Sequence, residues 1–182
     1  EILDKADLLI LVGFDVVELF TPGHWNHPQP VVMLDEVAHN DDVIRPKVEV
    51  VADLADSLSA LAESVPASEG WNLEDLDSYR AMRSAPLFSK GEGLMPGAVV
   101  RIARECLPDS GIMTADAGSH KVLASDTWET RRPRGFLTSS GLGSMAVGLP
   151  AAIAAKLVEP QTPVLCLTGD GGFLMRLGDL ET

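Results

Sequence analysis

Short apolar runs alternate with amphipathic stretches along the first part of this chain. Three runs predict strands: a buried strand from Asp7 to Val12, a second from Val31 to Asp35 and a third from Val48 to Val51. Asp53 is a candidate helix cap, because apolar residues at helical spacing follow it. Strands that alternate with helices predict an α/β fold with a parallel, doubly wound sheet. Residues 1–65 are therefore interpreted as the C-terminal half of a Rossmann-like unit.

The pattern changes over residues 66–95, which we predict to be an interdomain linker. Proline, glycine and serine punctuate this stretch at Pro66, Ser68, Gly70, Pro86, Gly91 and Gly93. A helix is predicted between them, from Leu73 to Met82. Trp71 and Tyr79 are expected to pack the linker against a domain surface.

A second Rossmann-like unit is predicted over residues 96–182. Pro96 begins an amphipathic helix, and a strand from Ile112 to Ala115 follows it. A second strand, Val164 to Leu167, is predicted to be buried on both faces. The chain then breaks at Gly169-Asp-Gly-Gly172 and continues with apolar residues at helical spacing as far as Leu180. Ligands bind at this end of the strands in open α/β sheets.

Asp170 stands within a glycine turn that is otherwise suited to an anion. A carboxylate beside a phosphate is repulsive unless a cation lies between them, and Mg²⁺ is commonly held by one or two carboxylates plus phosphate oxygens. The residues thus indicate a metal-bridged diphosphate. The alternative is a tight turn in which Asp170 is an N-cap.

Two further segments carry candidate chemistry. Asp116-Ala-Gly-Ser-His120 follows a predicted strand, where His120 is either a ligand or a hydrogen-bonded structural residue. Met145 lies among glycines, where it is either exposed for function or part of the core. Gly13 and Asp35 occupy places that dinucleotide-binding residues take, but the glycine fingerprint is absent, so a structural role is the better hypothesis.

The charge balance excludes some partners. There are 27 acidic and 14 basic residues, a formal charge of −13 that disfavours nucleic acid and anionic membranes. The basic run from Arg131 to Arg134 is expected to be a solvated loop.

Cys106 and Cys166 are expected to be apolar core residues, without a disulfide or zinc spacing. No apolar run is long enough to cross a bilayer, and both ends of the chain have the pattern of interrupted helices.

Three motifs agree in order and spacing with a known family: Asp116-Ala-Gly-Ser-His120, Gly141-Leu-Gly-Ser-Met-Ala-Val-Gly-Leu-Pro150 and Gly169-Asp-Gly-Gly-Phe173. Together they resemble the thiamine diphosphate-dependent decarboxylases and carboligases, and among these the acetolactate synthases. The resemblance implies that residues 1–65 are the C-terminal half of the family's central Rossmann-like domain and that residues 96–182 are the first part of its diphosphate-binding domain.

The resemblance also implies roles for individual residues. Asp170 would ligate Mg²⁺, and the backbone of Gly171 and Gly172 would contact the diphosphate, together with Ser119 and His120. The Gly143 carbonyl would accept a hydrogen bond from the cofactor's amino group, while Met145 would hold its two rings in a bent conformation. Met175 would border the substrate pocket. The remaining predicted cofactor-binding residues are Ala117, Gly118, Ser144 and Gly169.

The resemblance further implies a cytoplasmic homodimer or homotetramer that acts on a small 2-oxo acid, with the active site at a subunit interface. No catalytic side chain is expected in this chain, since the activating glutamate belongs to an N-terminal domain and a second metal ligand, an asparagine, would follow Thr182. Some acetolactate synthases carry FAD on the central domain, but with half of that domain expected here the sequence does not favour a flavin site. A non-catalytic nucleotide-binding module and an inactive assembly subunit are the alternatives from another class.

Overall fold

The structure is a computed structural model that describes residues 2–16, 25–40, 42–66, 70, 72–85 and 93–182. The chain forms two compact units, residues 1–75 and residues 76–182. The linker residues Ser68, Trp71, Pro86 and Gly91 lie outside the described residues. Tyr79 is described and is half-buried. The predicted domain boundaries stay predictions.

The first unit contains a parallel three-stranded sheet in the order β1-β2-β3. Its elements are a 3-10 helix, Leu3–Lys5, then β1, Leu9–Val12, β2, Val31–Asp35, β3, Val48–Val51, and α1, Leu54–Ser64. The core is formed by Leu9, Val31, Met33 and Ile44. Asp53 is the N-cap of α1, as predicted, and its carboxylate accepts a hydrogen bond from the Asp56 N–H at 3.0 Å.

Burial differs between the strands of this sheet, and β1 is less buried than predicted. The central strand β2 is mostly buried, but β1 has one buried residue, Leu9, and β3 is exposed along its whole length. Both are edge strands of the described sheet, and an apolar run does not by itself show whether another element covers it. The helix expected before Asp7 is a single 3-10 turn.

The second unit also contains a parallel sheet, in the order β5-β4-β6. Helix α2 (Leu73–Ser84) begins before this unit and continues into it. The elements that follow are α3 (Pro96–Cys106), β4 (Ile112–Ala115), α4 (Ser119–Thr127), β5 (Phe136–Thr138), α5 (Gly148–Val158), β6 (Val164–Leu167), α6 (Asp170–Met175) and a 3-10 helix (Leu177–Glu181). The sequence pattern missed β5, which is only three residues long. The helix expected to reach Leu180 ends at Met175.

Helices lie on both faces of this sheet. Met113 of β4 packs with Val100 of α3 and Ala124 of α4, while the hydroxyl of the next residue, Thr114, donates to the Gly148 carbonyl of α5 at 2.8 Å. Successive residues of a strand face opposite sides, so β4 is covered on both. All four residues of β4 are buried, whereas those of the edge strand β6 are half-buried, contrary to the prediction for β6. The α/β class with parallel sheets is confirmed.

The expectation that both cysteines are core residues is wrong. Cys106 is exposed rather than in the core, and Cys166 is half-buried; both are free. In the basic run, Arg131, Pro133 and Arg134 are exposed, in agreement with a solvated loop. Arg132 is half-buried, and its guanidinium donates to both carboxylate oxygens of Glu159 at 2.8 Å. This contact holds the pKa of Glu159 at about 2. Within the described residues, no helix has both the length and the apolar character needed to span a membrane.

Candidate functional site

Three segments of the second unit begin at one edge of its sheet, where the parallel strands end. Ala115 of β4 is paired with Leu167 of β6 and with Thr138 of β5. The Asp116 N–H continues the ladder by donating to the Leu167 carbonyl at 2.9 Å. The residues that follow the three strands therefore leave the sheet side by side.

Asp116 joins these segments. Its buried carboxylate accepts hydrogen bonds from the N–H groups of Ala146 at 2.9 Å, Val147 at 3.1 Å and Ala117 at 3.0 Å, and from the Thr168 hydroxyl at 3.3 Å. Burial by itself raises the pKa of Asp116, but the backbone hydrogen bonds outweigh burial and lower it below its ordinary value of 3.8. The carboxylate is therefore ionised at neutral pH.

Sequence reasoning did not place Asp116 or Thr168 among the site residues. A signal for Asp116 was available, because an acidic residue directly after a short, mostly apolar strand must find hydrogen-bond donors where the strand ends. Its partners could not be found in the same way, since they lie 30 and 52 residues further along the chain.

Residues 139–147, here called the site loop, carry three of the predicted cofactor-binding residues: Gly143, Ser144 and Met145. Gly141, Gly143 and Ala146 have positive φ values of 69°, 62° and 67°. The Ser144 N–H donates to the Ser139 hydroxyl at 2.9 Å, and the Lys121 ammonium donates to the Ser139 carbonyl at 2.5 Å. These bonds fix the loop between β5 and α5.

Met145 is 51% exposed, so the hypothesis that it fills the core is wrong. Its terminal methyl lies 3.1 Å from the position that a Cβ atom on Gly171 would occupy. The thioether side chain therefore lies against the turn at Gly169 to Gly172, and the structure brings the second and third motifs together.

The glycine turn leaves Asp170 accessible. Gly169 is the N-cap of α6 and Asp170 is its first residue, so the N-cap interpretation of Asp170 is wrong. The exposed carboxylate accepts a hydrogen bond from the Gly171 N–H at 2.8 Å. Among the described residues no group of three or more His, Cys, Asp or Glu could hold a metal ion. A metal at Asp170 would thus take further oxygens from a ligand such as a phosphate.

Gly172 has no room for a side chain. A Cβ atom there would lie 1.7 Å from Oδ2 of Asp116 and 3.3 Å from the Thr168 hydroxyl oxygen. The backbone of α6 consequently approaches the end of β4 as closely as glycine permits.

His120 lies beside the same turn. Its Cε1 atom is 3.2 Å from the position of a Cβ atom on Gly169, and its Nε2 atom is buried with no hydrogen-bond partner among the described residues. An unpaired buried ring nitrogen is unfavourable, so a polar ligand at this edge would complete it. Gly118, with a φ of 145°, makes the turn into α4, where Ala117 precedes it and Ser119 follows it.

Ser119 and Met175 are not part of the contacts described above. Ser119 is the exposed first residue of α4, and Met175 is the last residue of α6 with its side chain 66% exposed. Their predicted roles stay predictions, as do those of the other candidate residues.

In the first unit, Gly13 and Asp35 serve local structure. The Gly13 N–H donates to the Leu34 carbonyl at 2.9 Å, and the Asp35 carboxylate accepts from the N–H groups of Glu36 and Val37. These contacts agree with the structural role that the sequence favoured.

Comparison with known proteins connects this geometry with a family. Residues 116–182 match the family described as thiamine pyrophosphate enzyme, C-terminal TPP binding domain. The whole chain is 33% identical over 187 residues to the acetolactate synthase isozyme 1 large subunit of Escherichia coli K12 and 30% identical over 190 residues to the acetolactate synthase of Bacillus subtilis 168. It is also 33% identical, over 98% of its length, to a probable acetolactate synthase large subunit of Methanocaldococcus jannaschii.

The chain covers 33%, 33% and 32% of these three proteins, so it spans about a third of the length of the curated relatives it matches. The family match begins at Asp116, where β4 ends, and includes all three segments that meet at this edge. The resemblance inferred from the motifs is thereby confirmed: the chain belongs to the thiamine diphosphate-dependent, acetolactate synthase-like family.

Proposed function

We propose that this chain is part of an enzyme that uses thiamine diphosphate and Mg²⁺ to decarboxylate pyruvate and to join the resulting two-carbon unit to a second pyruvate. The observation that carries the proposal is the meeting of the three motifs around the buried carboxylate of Asp116. Two of the motifs contain a glycine, Gly148 or Gly172, at which a Cβ atom would lie less than 3.0 Å from an atom of Asp116.

The glycine turn supplies the diphosphate site in this proposal. Gly171 and Gly172 present backbone without side chains, so a phosphate can approach closely. The exposed carboxylate of Asp170 would repel the phosphates directly, and Mg²⁺ between them removes the repulsion. The buried Nε2 of His120 is a hydrogen-bonding atom left for the ligand, and Ser119 adds a hydroxyl beside it.

The site loop would orient the rest of the cofactor. Gly143 is in the left-handed region, and no described atom lies within 4 Å of its Cβ position, so a ligand can approach its backbone. The exposed thioether of Met145, held against Gly171, offers an apolar surface that can support a bent two-ring molecule. Holding one conformer in place contributes to rate by orientation. Thiamine diphosphate itself supplies the electron sink for loss of carbon dioxide from a 2-oxo acid.

The proposed active site would also need a second subunit. Large apolar side chains are exposed in the site loop and after the glycine turn, at Leu142, Leu174, Met175, Leu177 and Leu180. Exposed apolar groups of this kind are typical of surfaces that another protein surface covers. This supports a homodimer or homotetramer in which another part of the enzyme supplies the activating glutamate and closes the site.

Two alternatives share much of this support. Another 2-oxo acid decarboxylase or acyl-transferring member of the family would use the same cofactor contacts and differ in the substrate pocket. A non-catalytic nucleotide-binding or assembly module would keep the fold without turnover. A product assay on the intact protein with pyruvate separates them, since acetolactate, acetaldehyde or no product is expected for the carboligase, the simple decarboxylase and the module respectively.

Cofactor binding is tested by calorimetry on the intact protein with thiamine diphosphate, in Mg²⁺ and in EDTA. We expect binding that depends on Mg²⁺, and an Asp170→Asn variant weakened by more than about tenfold at limiting Mg²⁺, because even residues that only support metal ligands change metal affinity by about 10–100-fold. Asp179→Asn is the matched control, because it makes the same change of side chain at a carboxylate that lies 3.9 Å from Arg176 and has no proposed role in metal binding. Unchanged affinity of Asp170→Asn would refute the metal role.

The chain of 182 residues taken alone is expected to bind the cofactor weakly and to turn nothing over. The same titration on this chain tests that expectation. Tight binding would show that the site needs no further groups.

A further inference from the structure

We infer that Asp116 is a positioning residue that sets the conformation of the site loop and its distance from the glycine turn without touching the cofactor itself. The consequence for cofactor binding rests on the proposed function, whereas the effect on the loop does not. The inference starts from one buried carboxylate that receives hydrogen bonds from both neighbouring segments.

The first step concerns the backbone of the site loop. Ala146 is buried and has a φ of 67°, a left-handed conformation that is unfavourable for a residue with a Cβ atom. Its N–H and that of Val147 donate to the two oxygens of Asp116. Hydrogen bonds to an ionised acceptor in a buried site are strong, so they offset the strain at Ala146. The carboxylate thereby fixes the backbone conformation directly after Met145.

The second step concerns the glycine turn. Oδ2 of Asp116 occupies the space beside Gly172 where a side chain would otherwise lie, and it also accepts from the Thr168 hydroxyl. One oxygen thus contacts Thr168, directly after β6, and Gly172 of α6 while it accepts from the Ala146 N–H. Asp116 thereby sets the distance between the site loop and α6, and at this distance the Met145 methyl contacts Gly171.

The third step explains why another side chain would not serve. An asparagine of the same shape would turn an NH₂ donor toward one of the backbone N–H groups, because each oxygen of Asp116 accepts from a backbone donor. A glutamate would need an additional methylene, and the space beside Gly172 is already filled. Only a short, ionised carboxylate satisfies both sides.

Asp116→Asn in the intact protein tests the inference. In the cofactor-free protein we expect amide hydrogen exchange at Ala146 and Val147 to accelerate by about tenfold or more, since each loses or weakens a charge-assisted hydrogen bond. With saturating Mg²⁺ we expect the Kd for thiamine diphosphate to rise by about tenfold or more, with a smaller change in kcat at saturating cofactor. Asp109→Asn is the control, an exposed carboxylate near the opposite end of β4, and is expected to change neither.

The outcomes separate the two proposals. Faster exchange confined to the site loop supports the inference even if the wild-type protein fails to bind thiamine diphosphate, which would overturn only the proposed function. Exchange that is unchanged, or that rises equally throughout residues 76–182, overturns the inference. If Asp116→Asn does not fold, Thr168→Val removes one donor and is expected to accelerate exchange at Ala146 less strongly; no change in that variant also overturns it.

Discussion

Replacing Gly172 with alanine gives the sharpest test of the site geometry. The added Cβ would lie 1.7 Å from Oδ2 and 2.9 Å from Cγ of Asp116. The overlap cannot be relieved by moving the free end of a flexible side chain, because this carboxylate holds three backbone N–H groups and one hydroxyl. Either α6 moves away from β4 or the carboxylate loses its partners.

The expected magnitude follows from these two routes. Overpacking a well-packed region costs about 1–3 kcal/mol, and a hydrogen bond to a charged group contributes about 1.5–3 kcal/mol. We therefore expect the Gly172→Ala variant to lose about 3 kcal/mol in its free energy of unfolding. Total stabilities are about 5–15 kcal/mol, so the protein should still fold.

Urea unfolding measures this loss. With an m-value of about 2 kcal/mol/M, the midpoint should fall by about 1.5 M. Gly171→Ala should have a smaller effect, because its Cβ would meet the flexible end of Met145 at 3.1 Å. Gly178→Ala should change stability by no more than about 0.5 kcal/mol, since no described atom lies within 4 Å of its Cβ position. Equal stability of the Gly172 and Gly178 variants would refute the described position of Asp116.

Three further predictions concern other parts of the chain. Arg132 depresses the pKa of Glu159 from 4.5 to about 2. In thermal unfolding, the stability that wild type gains over Glu159→Gln should therefore be complete above pH 4.5 and disappear toward pH 2. A difference that does not change with pH would contradict the ion pair. Cys106 should react with a thiol reagent well before Cys166, because Cys106 is exposed while burial raises the pKa of the Cys166 thiol; equal rates would argue against the fold. Asp53→Ala should destabilise the first unit by about 1 kcal/mol through loss of the N-cap of α1, and an unchanged midpoint in chemical denaturation would contradict that role.

The local pattern was sufficient for the elements that position the site. The strands Val31–Asp35, Val48–Val51, Ile112–Ala115 and Val164–Leu167 have the predicted bounds, because each is a short apolar run between residues that interrupt regular structure. The three motifs likewise indicated the family, which the match to residues 116–182 supports. A strand of three residues, Phe136–Thr138, is too short to give such a pattern.

Tertiary structure decided which side chains meet and which apolar residues are covered. The order β5-β4-β6 places Asp116 beside Ala146 and Thr168, although 30 and 52 residues separate them along the chain. Hydrophobic periodicity shows that a face is apolar but not what packs on it. The exposure of the strand Val48–Val51 and of Cys106 could therefore not be predicted from the sequence. The site therefore depends on pairing between strands that are distant in sequence, and the local sequence of a strand does not specify which strand it pairs with.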